Sequence, residues 1–305
     1  MQVMVLAAGF GTRLGPLTNQ RAKPAVPFLG VPLVRTLVES LGSADRIVVN
    51  LHHRPETVQR SLEGLDVRFS AEPEILGTAG GIALAVQRGL LRRDEPLLVV
   101  NGKISTDLDF RSLWERHACS AADATLALVA NPTREPFREV LVRDELVVGF
   151  GDGNVPAGPK PWAFTGVYVL SPSFLWRLEP VMSDTVRDHL PEPINRGGVN
   201  AWVHPGRWWE LSTPERYLTF HLEARRRGFE DRAPPLPEEV TESVVWEGAR
   251  IARGARLHRC IVLSGAEVRD VVEEELVILS PDARHADALV RTPLARNEVK
   301  VLSEP

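Results

Sequence analysis

Two glycines and two cations near the N-terminus have the types and spacing to hold a polyphosphate. The apolar run Val3-Met4-Val5-Leu6 breaks at Ala7-Ala8-Gly9-Phe10-Gly11, and Arg13 and Lys23 follow, with Lys23 set between Ala22 and Pro24. Small residues and glycines let the backbone turn tightly and let a ligand come close to it. Successive N–H groups in such a turn form a concave seat for an anion. A guanidinium and an ammonium beside that seat supply donors and positive charge fixed in advance. Neither common phosphate loop fits. A dinucleotide fingerprint needs a third glycine where Leu14 stands, and no Gly-Lys-Ser/Thr triplet follows to complete a P-loop.

Three later stretches carry chemistry of the same kind. Glu72-Pro73-Glu74-Ile75-Leu76-Gly77-Thr78-Ala79-Gly80-Gly81 opens a helix predicted over 82–90. It would put bare backbone at a helix N-terminus, suited to a base or an anion. The core strand Pro96–Val100 delivers Asn101-Gly102-Lys103 to a turn at its carboxyl end. Asp107 and Asp109 lie close by and equally suit the cap of a helix beginning near Phe110. Last comes Gly206-Arg207-Trp208-Trp209-Glu210-Leu211-Ser212-Thr213-Pro214, where Glu210 is an oxygen ligand in type and Pro214 suits a helix start.

The string Leu6-Ala7-Ala8-Gly9-Phe10-Gly11-Thr12-Arg13-Leu14, then Pro16-Leu17-Thr18 and Lys23-Pro24, resembles the opening signature of the sugar-phosphate nucleotidyltransferases, or NDP-sugar pyrophosphorylases. With the later stretches the resemblance covers roughly residues 1–225 in four ordered blocks. It implies a transfer in which a sugar-1-phosphate attacks the α-phosphorus of a nucleoside triphosphate and pyrophosphate leaves. It makes Arg13 and Lys23 the catalytic cations. It makes Leu6, Ala7, Ala8, Gly9, Gly11, Thr12, Glu72, Gly77, Thr78, Ala79, Gly80, Asn101 and Gly102 nucleotide-binding, and Lys160, Thr165 and Gly166 sugar-phosphate-binding. The family holds Mg²⁺ on an aspartate after Asn-Gly and on a second one in a Trp-x-Asp motif. Here Lys103 occupies the first of these metal positions and Glu210 the second. An ammonium has donors and no lone pair, so Mg²⁺ is expected to bind weakly or not at all, with Glu210 as the surviving ligand. Two readings follow: a working NDP-sugar-forming enzyme, or a catalytically impaired relative that binds nucleotide or NDP-sugar as a sensor or regulatory subunit.

The elements that must position these residues alternate. Helices are expected at 32–41 and 55–62, strands at 46–51, 67–69, 96–100 and 124–130, and a hairpin over 137–150. This order predicts an α/β fold with a mainly parallel mixed sheet and helices on both faces. The resemblance makes it a Rossmann-like nucleotidyltransferase domain over 1–232. Ligands in such sheets sit at the carboxyl ends of strands, which is where Gly9–Arg13 falls. Beyond the linker Ala233-Pro234-Pro235-Leu236-Pro237, apolar residues recur every six positions with Gly-Ala at a fixed offset: Val245, Ile251 and Leu257. This predicts a short left-handed parallel β-helix within 233–305, serving packing or assembly into a homo-oligomer, with His258 a solvated turn residue.

Bulk properties exclude several classes. The chain has 305 residues, 44% hydrophobic, and a net charge of −4, which gives no basic footprint for nucleic acid. No apolar run approaches the ~20 residues of a membrane helix. The N-terminus lacks the pattern of a signal peptide. Cys119 and Cys260 are too few and too far apart for a disulfide framework or a zinc site. A reducing cytoplasm is the expected location.

Overall fold

The computed structural model describes residues 1–42, 44–131, 137–151, 161–233, 235–269, 271–272 and 277–279. The chain divides into two compact units. One comprises Met1–Gly9 and Thr36–Glu210; the other comprises Phe10–Arg35 and the chain from Leu211 onward.

The first unit is built on a nine-stranded sheet. Its strands in chain order are β1 (Gln2–Leu6), β2 (Arg46–Leu51), β3 (Arg68–Ala71) and β4 (Leu97–Asn101), with a separate short strand β5 (Ile104–Thr106). Then come β6 (Ala124–Ala130), β7 (Glu139–Arg143), β8 (Leu146–Phe150), β9 (Trp162–Leu170) and β10 (Val199–Val203), and a short β11 (Trp208–Glu210) that pairs with β5. The sheet order is β3-β2-β1-β4-β9-β6-β10-β8-β7. The first four strands are parallel. The near-continuous apolar sequences of β1 and β4, fully buried from Val3 to Val5 and from Leu97 to Val100, are what a sheet covered on both faces requires.

The predicted mainly parallel, mixed sheet is seen: β10 also runs parallel to β6, and two strands run against the rest. β9 runs antiparallel to both β4 and β6, and β8 antiparallel to β7 and β10. The β7–β8 hairpin explains part of this. Asp144 and Glu145 both adopt positive φ, 49° and 63°, the geometry of a tight two-residue turn that joins antiparallel neighbours. The helix predicted over 82–90 begins earlier, at Gly77, and ends at Gln87 (α1). The Glu72 carboxylate accepts the Leu76 N–H and Ser183 N–H donates to Leu76 O, so the preceding turn is closed before the apolar run starts. As the sequence suggested, Asp109 caps the helix Phe110–Ala118 (α2), its side chain accepting from Ser112 N–H.

The second unit is centred on helix α3 (Pro214–Arg226), with Thr213 as its cap and Pro214 in its first turn. The Tyr217 hydroxyl donates to Pro27 O and accepts from the Trp246 indole N–H at 3.0 Å. His221 donates from Nδ1 to Tyr217 O and accepts the Leu29 N–H on Nε2 at 3.1 Å. Accepting that N–H requires an unprotonated Nε2, and burial accordingly pushes the His221 pKa down to about 3. Past residue 239, short strands pair in parallel, three of them with partners seventeen positions on, Val240 with Leu257, Val244 with Ile261 and Arg250 with Glu267, while Arg256 pairs with Val271 fifteen positions on. Val240, Ala255, Leu257, Cys260, Val262, Ala266 and Val268 bury one another.

Candidate active site

At the carboxyl end of β1 the chain turns through Ala7, Ala8 and Gly9. Ala7 N–H donates to Asn50 Oδ1 at 2.6 Å, and Asn50 Nδ2 donates to Glu72 Oε1 at 2.7 Å. The other Glu72 oxygen accepts the Leu76 N–H at 3.1 Å. Asn50 and Glu72 are both buried, and these bonds satisfy them as buried polar groups must be. A Cβ on Gly81 would come within 2.5 Å of Glu72 Oε1, so only glycine leaves room for the network. A Cβ on Gly9 would meet nothing within 4 Å. The glycine there answers no packing constraint and leaves the strand end open to a close approach.

Sequence reasoning placed Glu72 against the nucleotide. The structure ties its carboxylate to Asn50 and Leu76, where it braces the turn after β1. Asn50 was missed, although a lone polar residue inside the run Ile47-Val48-Val49-Asn50-Leu51 was a usable signal. At the second glycine-rich stretch the backbone packs closely on residues 181–183. A Cβ on Gly80 would lie 2.1 Å from Val181 O, and one on Gly77, whose φ is +71°, 2.4 Å from Ser183 O. Ala79 N–H donates to Ser183 O at 3.0 Å. The Thr78 hydroxyl donates to Asp184 Oδ2 at 3.0 Å and accepts from Thr185 N–H at 2.7 Å.

β4 runs beside β1, with Leu6 opposite Asn101 and Gly102 N–H donating to Leu6 O at 2.9 Å. This pairing sets Asn101, Gly102 and Lys103 next to the Ala7–Gly9 turn. Gly166 lies against Asn101: its φ is +78°, and a Cβ there would be 2.0 Å from Asn101 Nδ2. The Thr165 side chain turns inward, donating to Ala127 O at 2.7 Å, while its carbonyl accepts from the Trp208 indole at 3.0 Å. It sits where the β9–β6 register shifts between Phe164 and Tyr168, a bulge that re-aims side chains. Lys160 lies outside the described residues.

Lys103 Nζ lies 2.5 Å from Glu210 Oε1, the lysine side chain 29% exposed and the glutamate 4%. The β5–β11 ladder places them together, pairing Glu210 with Ile104. An ion pair thus stands at the two positions that the resemblance gives to metal-binding carboxylates, and among the described residues no cluster of three or more His, Cys, Asp or Glu suits a metal. Mg²⁺ wants oxygen ligands in near-octahedral array; an ammonium on the one carboxylate does not fit it.

In the second unit, Gly11 takes φ +68° before the turn Thr12–Leu14. A Cβ on Gly11 would lie 2.8 Å from Lys23 Cβ and 3.0 Å from Thr18 Cγ2. That close approach is why glycine is needed there and how the loop braces the stem of Lys23. Lys23 is buried and Arg13 exposed.

The family model for nucleotidyl transferases matches residues 2–225. The chain belongs to that family, whose sugar-phosphate branch its opening motif resembles. Among curated relatives it is 28% identical over 304 residues to a probable mannose-1-phosphate guanylyltransferase 2 of Oryza sativa subsp. japonica, covering 88% of this chain and 83% of that one. It is also 28% identical over 312 residues to a mannose-1-phosphate guanyltransferase of Schizosaccharomyces pombe, with the same shares covered. Among solved structures, HddC from Yersinia pseudotuberculosis complexed with GMP-PN matches with a TM-score of 0.61 and 23% identity, over 73% of this chain and 98% of that chain, a likeness of fold. No helix among the described residues is long and apolar enough to cross a membrane.

Proposed function

We propose that this nucleotidyltransferase makes an NDP-sugar, with guanosine as the base and a mannose-type sugar-1-phosphate as the acceptor. A phosphate oxygen of the sugar attacks the α-phosphorus in line, the bond from that phosphorus to the bridging β-phosphate oxygen breaks, and pyrophosphate leaves. The protein's part is positioning and charge stabilisation. Arg13 grips the departing pyrophosphate, and Lys23 holds the phosphates. The Ala7–Gly9 turn and the Gly11–Thr12 backbone supply donors, and Asn101 and Gly102 border the nucleotide. Gly166, Thr165 and Lys160 border the sugar phosphate. Because the donor set does not fit Mg²⁺, no step is routed through a metal.

The observation that carries this reading is the end of β1: a turn pinned by Asn50 and Glu72, open at Gly9, and built from the family's opening motif. The base and sugar follow the names of the relatives. In this reading residues 1–232 form the nucleotidyltransferase domain. The linker and short left-handed parallel β-helix expected over 233–305, through which copies would assemble, are supported in their described part by parallel pairs seventeen residues apart; residues 280–305 lie outside the described residues.

Pyrophosphate release, coupled to a pyrophosphatase and phosphate detection, tests it across a panel of triphosphates and sugar-1-phosphates. Release is expected to be fastest with GTP and mannose-1-phosphate and to fall at least a hundredfold in Arg13→Ala and Lys23→Ala. No release with any pair refutes the activity; release with another pair alone refutes the base or the sugar.

A further inference from the structure

The carboxyl ends of β1 and β4 lie side by side, and the first side chain beyond them on β4's turn is a cation. Gly102 adds no side chain between Asn101 and Lys103, and its N–H is bonded to Leu6 O, so the turn is fixed to the neighbouring strand. Glu210, almost wholly buried, holds Lys103 Nζ at 2.5 Å, while the lysine stays 29% exposed. An ammonium carries three N–H groups; with one directed at Glu210, two remain to meet a ligand. The charges are telling. Two carboxylates and a divalent cation sum to zero, and so do one glutamate and one lysine. The ion pair therefore returns the same net charge as a loaded metal seat, yet keeps a positive group at the rim of the strand ends.

We propose that Lys103, positioned by Glu210, is the fixed cation that meets the nucleotide's phosphates in this enzyme, and that it takes the place of a divalent metal. The proposal rests on the nucleotidyltransferase reading above. Lys103 is a binding group: it neither gives nor takes a proton during transfer, and Glu210 acts through it as a positioning residue. The pair is self-consistent only as a pair. An aspartate at 103 would stand beside Glu210 as a second carboxylate and call for a cation to separate them.

The test uses the full chain and two probes, GTP and GDP-mannose, titrated calorimetrically in 5 mM MgCl₂ and in EDTA. The wild type is expected to bind GDP-mannose with affinities within threefold in the two buffers. Lys103→Met is expected to lose at least tenfold in both buffers, and Lys103→Arg to retain metal-independent binding. Lys103→Asp is expected to bind at least tenfold more tightly with Mg²⁺ than without. Wild-type binding that strengthens tenfold or more with Mg²⁺ overturns the proposal, as does Lys103→Met binding like the wild type. A Mn²⁺ titration followed by electron paramagnetic resonance gives an independent readout without nucleotide. The wild type is expected to show no saturable site and Lys103→Asp to gain one; a stoichiometric wild-type site overturns the proposal. Should neither probe bind in either buffer, the assignment of function fails, and the Mn²⁺ titration alone decides for or against the metal replacement. Thermal melts of each variant exclude misfolding as the cause of lost binding.

Discussion

Replacing Asn50 by aspartate keeps the side chain's size and its acceptor for Ala7 N–H, but turns the donor facing Glu72 into a carboxylate oxygen. In the native chain that donor lies 2.7 Å from Glu72 Oε1. Two unit charges at such a distance repel by about 6 kcal/mol at an effective dielectric of ~20. Two carboxyls can escape this by sharing one proton. Holding a carboxylic acid protonated at pH 7, against an ordinary value near 4, costs about 4 kcal/mol at roughly 1.4 kcal/mol per pH unit. The cheaper route wins, so Asn50→Asp is expected to destabilise the fold by about 4 kcal/mol at pH 7. The sign with pH follows. The folded variant holds a proton that its unfolded chain has released, so stability falls as pH rises. The deficit shrinks to roughly 1.4 kcal/mol at pH 5 and grows towards pH 8 until the repulsion limit is met. Urea unfolding of wild type and variant at pH 5, 6, 7 and 8, fitted with a common m-value, measures it. A deficit under 1 kcal/mol at pH 7, or one equal at pH 5 and pH 8, refutes the reasoning.

Gly166→Ala would set a methyl 2.0 Å from Asn101 Nδ2 at a φ of +78°. It is expected to cost roughly 1–3 kcal/mol in stability and at least tenfold in kcat/KM, because Asn101 must move; an unchanged kcat/KM counts against Asn101 at the nucleotide. Burial pushes the His117 pKa down to about 4 and the His221 pKa to about 3. Both lie below the ordinary imidazole value, so the unfolded chain takes up protons first as pH falls. The stability tied to these neutral rings is complete above pH ~6.5 and is lost on descending towards pH 4 and then 3. Melting temperatures between pH 7.5 and 4.5 should fall accordingly, and His221→Gln should flatten the slope; an unaltered slope refutes it.

Local signals in the sequence were read correctly where local forces decide. Arg46–Leu51 and Ala124–Ala130 form strands at the bounds their apolar runs predict, and of the two cap candidates, Asp107 and Asp109, it is Asp109 that caps α2. The opening motif led to the family from residues 6–24. What stayed hidden depends on partners far along the chain. Gly77 and Gly80 read as bare backbone for a ligand, yet each is held against carbonyls about a hundred residues later, at Ser183 and Val181. Thr165 read as a sugar contact, while a bulge opposite β6 turns its hydroxyl to Ala127. The direction of β9 was illegible because an apolar run looks the same whichever way it pairs. Lys103 was visible as a departure, but its anchoring by Glu210 needed the β5–β11 ladder.

The regular spacing of the C-terminal strands has a consequence for how such a tail can diverge. Val240 is matched to Leu257 and Val244 to Ile261, each one spacing of seventeen residues on. Adding or removing one whole spacing between these pairs would therefore keep the same strand faces opposite each other, and with them the mutual burial of Val240, Leu257 and Val262. A deletion of three or four residues within one spacing would instead turn Leu257 and Ile261 out of line with Val240 and Val244. Length changes here should come in steps of one spacing or be absorbed in the turns, as where Arg256 pairs with Val271 fifteen positions on.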